Sequence, residues 1–484
     1  MLKNMRRLPI LICLVAALAV AGPRAAQADT PESQPPASVA NALKALAIPL
    51  SAVAIQVQEV GAATPRLAVN AGRPMNPASV MKLVTTYAAL GMLGPAYTWK
   101  TEARIDAPVS NGVLAGPLYI RGSGDPKLTF EQFWLLLRQL RAQGIRDIEG
   151  DLVLDRSIFQ VPADDAAFDD QPLRPYNVAP DALLVGFKAI RLALAPDAAN
   201  RAVQVMVEPQ PANLDVVNRL RLGNNGCGDW KEGLRADLSR HAERFRLVIT
   251  GSYSASCGQK NWLLGVMPHE LYVRGVFEEL WSELGGTIKG GVRDGAAPAS
   301  SRVVAAIESP GLAEIVRDIN KFSNNVMARQ LFLTLGLEGG KRPARPVDAE
   351  AAVRTWLNAR GLSFPEMVLE NGSGLSRQER ITADSLGRLL QSAWKSALMP
   401  EFVASLPLAA VDGTMKKRFN GNGPAGQMHL KTGTLDGVKS IAGYVLDKNG
   451  RTQAVVFIIN HPNAQAGQAA QDALLLWVYE GAGK

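Results

Sequence analysis

Three short runs hold residue types that can make and break an acyl bond. In Ser79-Val80-Met81-Lys82 a hydroxyl stands three residues before an amine. On a helix that spacing puts both side chains on one face, where they can meet. An amine kept from water favours its neutral form, and a neutral amine can take the hydroxyl proton. The Ser79 N–H would be one of the amides a first helical turn leaves unpaired, oriented to hold an oxyanion. The spacing alone carries little, because Ser392-Ala393-Trp394-Lys395 repeats it. Ser323-Asn324-Asn325 adds a second hydroxyl and an amide at the joint between two helical patterns. Lys431-Thr432-Gly433, followed by Thr434, adds a second cation on a strand-like run. Alternation sets Lys431 and Gly433 on one face and Thr432 on the other, so a twist or bulge is expected there. Gly433 would let a substrate backbone come close to the strand edge.

The elements that must position these groups are visible in the apolar pattern. Asn76-Pro77 opens a helix over Ala78 to Leu93 whose residues Val80, Met81, Leu83, Val84, Tyr87, Ala88, Leu90 and Met92 are apolar nearly all round. Such a helix is buried. Further helices are expected over Gly311 to Phe322, Asn325 to about Leu335 and Gln468 to Tyr479. Val53 to Val60 and Gln427 to Thr434 read as strands, and Ile441 to Leu446 pairs with Thr452 to Ile459 around Asp447-Lys448-Asn449-Gly450. Between about 97 and 306 the texture changes to short strands and turns rich in Gly, Asp, Asn and Pro. The simplest organisation is a multi-domain α/β chain. A catalytic domain, 29–96 and 306–484, would be interrupted by a β-rich insertion, 97–305, of one or two lobes.

Composition removes other chemistries. With 484 residues, 47% hydrophobic and 20% charged, the chain can build more than one core. Four His and three Cys are too few for a zinc ribbon, an iron–sulfur cluster or a His-rich centre, so no metal and no cofactor is expected. Gly421-Asn422-Gly423-Pro424-Ala425-Gly426 leads into a strand instead of a helix, which excludes a dinucleotide fingerprint. His269-Glu270 lacks the second His of a zincin helix. Met1 to Ala28 reads as a cleaved export signal: Lys3, Arg6 and Arg7, an apolar run from Leu8 to Ala21, then Ala26-Gln27-Ala28. Its removal takes four of 52 basic residues and none of 44 acids, so the net charge falls from +8 to +4. No block of like charge remains, which argues against a nucleic-acid partner. Cys227 and Cys257 then form an even pair, read as one disulfide in an oxidising compartment, with two buried free thiols as the alternative.

Taken together and in this order, the three runs resemble the S-x-x-K, S-x-N, K-T-G set of penicillin-binding proteins and serine β-lactamases. They are separated by 244 and 108 residues, and the first gap is too long for a plain β-lactamase. With Gly122-Ser123-Gly124-Asp125-Pro126, Asn371-Gly372-Ser373-Gly374-Leu375-Ser376-Arg377 and Lys431-Thr432-Gly433-Thr434-Leu435, the chain is similar to the class C low-molecular-mass D-Ala-D-Ala carboxypeptidase/endopeptidases of the penicillin-binding protein 4 type. The resemblance implies a transpeptidase-like domain whose antiparallel sheet is flanked by helices. It implies Ser79 as nucleophile, Lys82 as base, and Ser323 and Asn325 relaying a proton and holding the substrate amide. Lys431 and Thr432 would bind the terminal carboxylate, and the N–H groups of Ser79 and Thr434 would form the oxyanion hole. Arg377 would read a distal carboxylate of the peptide stem, and Asp170 with Tyr176 an amine and its alkyl chain, with Asp170 open to a shift by one residue. Peptidoglycan stem peptides would be the substrate and β-lactams covalent inhibitors, in the periplasm. Whether the chain is a monomer or a homodimer, and whether His429 lines the cleft, stays open. So do the alternatives of a penicillin hydrolase and a catalytically idle wall-binding protein.

Overall fold

A computed structural model describes residues 31–161, 168–421 and 423–481. The expected export signal lies outside the described residues. Strands from both ends of the chain form a five-stranded antiparallel sheet. Its order is Met428–Leu435, Val438–Leu446, Thr452–Asn460, Val53–Glu59 and Leu67–Val69. The central strand shows why it forms. Ala454, Val456 and Ile458 enter one core, while Val455, Phe457 and Ile459 enter the other. A strand buried on both faces reads as a continuous apolar run, and its period of two serves both cores.

On the first face pack the helices Lys82–Leu93, Leu312–Phe322, Asn325–Glu338, Pro346–Asn358 and Ala383–Lys395. On the second lie Ala37–Ala45 and Gln468–Tyr479. The Lys82–Leu93 helix is enclosed over most of its length, from Lys82 to Leu90, as its all-round apolar pattern requires. Because Val53–Glu59 pairs with Thr452–Asn460, sequence from both ends of the chain closes one sheet. The middle of the chain is therefore free to leave and return.

It leaves and returns through one antiparallel pair, Lys100–Ile105 with Arg302–Glu308. Trp99 still packs in the helical core, whereas Ile307 belongs to the core of the insertion. The crossing thus sits a few residues later at each end than the expected limits 97 and 305. The insertion also holds two helices, Phe130–Ala142 and His269–Glu283, which the β-rich reading passed over. In the first, Phe133, Leu136, Leu137 and Leu140 form a stripe and Thr129 caps the start by accepting from Gln132 N–H. In the second, His269 is partly buried and bonded to the Leu183 carbonyl at 2.6 Å, a packing role. Most of the insertion shares one buried cluster, Ala103 to Ile307, while Phe159, Ala182, Val178 and Leu184 pack with residues of the Asn325–Glu338 helix.

Within it Cys227 and Cys257 are joined, 30 residues apart. Closing a loop of that length removes unfolded-state entropy equivalent to about 3–4 kcal/mol in the chain-entropy account. The double variant Cys227→Ser, Cys257→Ser is expected to lose stability on this scale in denaturant unfolding. Wild-type stability would contradict this account of the insertion.

Candidate active site

Ser79 lies in a 3-10 turn, Ala78–Met81, that runs directly into the Lys82–Leu93 helix. The expected single helix from Ala78 therefore begins with a tighter turn, in which side chains at i and i+3 eclipse. This brings Lys82 Nζ to 3.0 Å from Ser79 Oγ. Ala78 adopts φ +45°, a conformation that disfavours residues with side chains. Local bonds hold it there. Asn76 Oδ1 accepts from Ala78 N–H at 2.8 Å, and Asn76 is itself bound to Asn460 and to the Ser376 carbonyl.

Lys82 is fully buried. Besides Ser79, its Nζ meets Asn325 Oδ1 at 2.6 Å and the Ser373 carbonyl. The last two groups can only accept. A neutral amine at this place would give its two N–H bonds to them and turn its lone pair to the Ser79 hydroxyl. Burial, and then the positive charge of Lys431, push Lys82 well below its ordinary value, while Glu379 pulls the other way. Lys431 is equally buried, and desolvation lowers it to about 7. Its Nζ donates to Ser323 Oγ at 2.8 Å and to the Thr432 carbonyl at 2.7 Å.

The Ser-Asn-Asn run is built by its position between helices. Ser323 ends Leu312–Phe322 in the left-handed region, φ +56°, which turns its hydroxyl toward Lys431. Asn324 caps the next helix by accepting from Met327 N–H, so Asn325 is the first helical residue and reaches Lys82.

Two glycines seat the Ser79 turn. A Cβ on Gly433 would lie 2.2 Å from Ser440 Oγ, 2.7 Å from the Pro77 carbonyl and 3.0 Å from Ser79 N. One on Gly374, at φ +80°, would lie 1.9 Å from the Ala78 carbonyl and 2.8 Å from Ser79 N. The bare side of Gly433 thus faces the protein's own nucleophile turn, not the open strand edge expected for a substrate. The expected bulge is also absent: pairing runs unbroken from Met428↔Val445 to Leu435↔Val438. Thr432 stays on the opposite face, its hydroxyl 2.8 Å from that of Thr414.

The strand's outer edge is only partly covered. Pro407 and Ala409 bond Leu430 and Met428. Backbone groups of alternate residues point the same way, so Thr432 and Thr434 also face outward. The Thr432 carbonyl is taken by Lys431, and the Thr434 N–H lies along the edge beside the Ser79 turn.

Other expected residues lie apart. Ser392 pairs with Tyr87 at 3.1 Å and Lys395 is exposed, so the second Ser-x-x-Lys run builds no site. His429 is half-buried beside Lys321 and Asp412; burial, then Lys321, lowers its pKa. Tyr176 donates its hydroxyl at 2.5 Å to Asp169, not to Asp170, which is exposed at φ +57°. Asn177 adds a 2.8 Å bond to the same Asp169 carboxylate. Burial alone would raise Asp169, but the bonds from Tyr176 and Asn177 outweigh it and hold the carboxyl low. Arg377 is exposed, donates to the Asp436 carbonyl at 3.0 Å and lies over the Phe168 ring at 4.7 Å. The Asp169–Asn177 segment and Arg377 therefore meet at Phe168. Sequence reasoning missed the Ser373 carbonyl and the buried Glu379. The first is a backbone atom, and the second shows in the sequence only as the acid three residues after Ser376.

The sequence matches the D-Ala-D-Ala carboxypeptidase 3 (S13) family over residues 36–480. It is 30% identical over 431 residues to a D-alanyl-D-alanine carboxypeptidase of Actinomadura sp. (strain R39), covering 85% of this chain and 78% of that one. It is 27% identical over 388 residues to the D-alanyl-D-alanine carboxypeptidase DacB of Haemophilus influenzae, covering 79% and 80%. The fold superposes on penicillin binding protein 4 of Haemophilus influenzae with a TM-score of 0.76 at 24% identity, over 92% of this chain and 99% of that one.

The glycine contacts make a direct prediction. Gly433→Ala is expected to slow acylation by a fluorescent penicillin roughly a hundredfold, the scale of an ångström's misplacement of a reacting group. Gly72→Ala, with nothing within 4 Å, is expected to leave it unchanged. Equal rates for the two variants would contradict the seat assigned to Gly433.

Proposed function

The chain belongs to the D-Ala-D-Ala carboxypeptidase 3 (S13) family, a family of serine peptidases, and we propose the following path for its reaction. The observation that carries it is the single amine bonded to both Ser79 Oγ and Asn325 Oδ1. The substrate is a peptidoglycan stem peptide ending in D-Ala-D-Ala, laid along the open edge of Met428–Leu435 as an added strand. Its terminal carboxylate meets Lys431 and the Thr432 side of that edge. Ser79 Oγ bonds to the penultimate D-Ala carbonyl carbon as its proton passes to Lys82. The oxyanion accepts from the N–H groups of Ser79 and Thr434. The carbon–nitrogen bond then breaks, and the departing amine takes its proton through Ser323, which Lys431 orients. Water releases the acyl group from Ser79.

A β-lactam offers the same carbonyl in a ring, so its leaving nitrogen stays attached and the acyl group remains. Arg377, Tyr176 and the acid beside it, with Asp169 replacing Asp170, are positioned to read the distal end of the stem. The signal-like start supports action in the periplasm, and among the described residues no helix is long and apolar enough to cross a membrane.

Labelled penicillin is expected to attach to the wild-type protein and not to Ser79→Ala, and D-Ala to be released from a synthetic pentapeptide. Labelling that survives Ser79→Ala would sink the reading. The base assignment has its own sign. Acylation should rise with pH as Lys82 loses its proton, and Lys431 lowers Lys82 by its positive charge. Lys431→Ala should therefore move the acid limb of the acylation profile to higher pH. An unmoved limb would contradict that coupling.

A further inference from the structure

Glu379 is completely buried, yet none of the steps above uses it. Its Oε1 accepts three consecutive backbone N–H groups, from Glu370 at 3.1 Å, Asn371 at 3.0 Å and Gly372 at 3.1 Å. Its Oε2 has no hydrogen-bond partner among the described residues. Burial raises the Glu379 pKa above the ordinary carboxylate value, while the three amides converging on one oxygen, and then Lys82, pull the other way and favour the carboxylate, which can only accept. The turn they fix is the one that reaches the nucleophile helix. The Gly372 carbonyl accepts from Thr85 Oγ1 at 2.7 Å, and the next carbonyl, Ser373, accepts from Lys82 Nζ.

We propose that Glu379 is a positioning residue for acylation: its carboxylate clamps the 370–372 turn so that the Ser373 carbonyl takes one N–H of Lys82, and its charge is the anionic counterweight to the buried Lys82. The inference rests on Lys82 being the base for Ser79. An uncharged acceptor carbonyl fixes the direction of the Lys82 amine, and the carboxylate behind it tempers how far burial and Lys431 drive that amine toward neutrality. The neighbourhood holds few competing charges. Lys82 and Lys431 face the site from the helix and the edge strand. Glu370 is engaged by Ser376 Oγ, and Arg380 donates to the backbone carbonyls of Arg377 and Glu379. A clamp of packing alone would need no ionisable group in this place, because an amide or a hydroxyl could accept the same N–H bonds without the cost of burying a charge.

Geometry and charge can be separated by two variants in one assay, the second-order rate of acylation by a fluorescent penicillin between about pH 5 and 10. Glu379→Gln keeps an oxygen for the three amides and removes the charge. It is expected to fold, to move the acid limb to lower pH by at least about half a unit, and to lower the plateau about tenfold or more. Thr85→Val cuts the tie between the turn and the helix and leaves the charge. It is expected to lower the plateau with the limb unmoved. A limb in Glu379→Gln that stays at the wild-type pH overturns the charge role, whatever the plateau does. A wild-type plateau in Thr85→Val overturns the clamp, and this holds even if Glu379→Gln does not fold. Wild-type protein whose label is not on Ser79 would instead overturn the underlying reaction, so the two failures are distinct.

Discussion

Two lysine side chains are taken out of water within one small site, and the rest of the catalytic part is arranged around that fact. Moving an ammonium from water into a protein interior costs on the order of several kcal/mol even after relaxation. Lys82 and Lys431 are both fully buried, burial lowers the pKa of each, and the charge of Lys431 lowers Lys82 further. Burial of this kind makes a lysine give up its proton more easily, which is what the proposed base role of Lys82 requires. Neutral acceptors surround Lys82, so its direction is fixed without an ion pair that would restore its charge. The carboxylate of Glu379, which pulls Lys82 the other way, holds the turn that precedes the Ser373 carbonyl bonded to the amine.

That arrangement needs three parts of the chain at one point: the start of a buried helix, a helix–helix joint and an edge strand. The sheet supplies the frame because its strands come from both ends of the sequence. Most of the insertion keeps its own core, and it touches the sheet's helical layer where Phe159, Ala182 and Val178 pack with Leu333, Leu337 and Val326. Strained backbone marks where the parts meet. Ala78 and Ser323, neither of them glycine, both adopt positive φ, and Gly374 and Gly433 let chain pass within contact of the Ser79 amide.

Much of this could be read before the structure. The nucleophile helix was visible because its residues are apolar on every side, and the closing helix Gln468–Tyr479 has the limits expected of it. The three motif runs were legible as residue types whose order resembles a known family's set, although the spacing of each alone carries little. What was not legible depends on contacts far apart in sequence. Alternation correctly set Thr432 opposite Lys431, but the inferred bulge was unnecessary because the strand meets the site with its backbone edge. Gly433 reads as room for a ligand until the Pro77 carbonyl is seen beside it. Asp170 and Asp169 are neighbours, and only the turn that carries Asp170 at positive φ decides which of them meets Tyr176. The two helices of the insertion carry ordinary stripes that were overshadowed by the turns around them.

The account stands or falls on whether Lys82 loses its proton far more readily than an ordinary lysine. Titration of the wild-type protein with isotope-labelled lysine side chains, followed by carbon NMR and assigned with Lys82→Arg, measures this directly. The expected result is an ε-carbon resonance that titrates well below the usual lysine range and disappears in that variant. A Lys82 resonance that stays protonated up to the ordinary lysine value would contradict its assignment as the base.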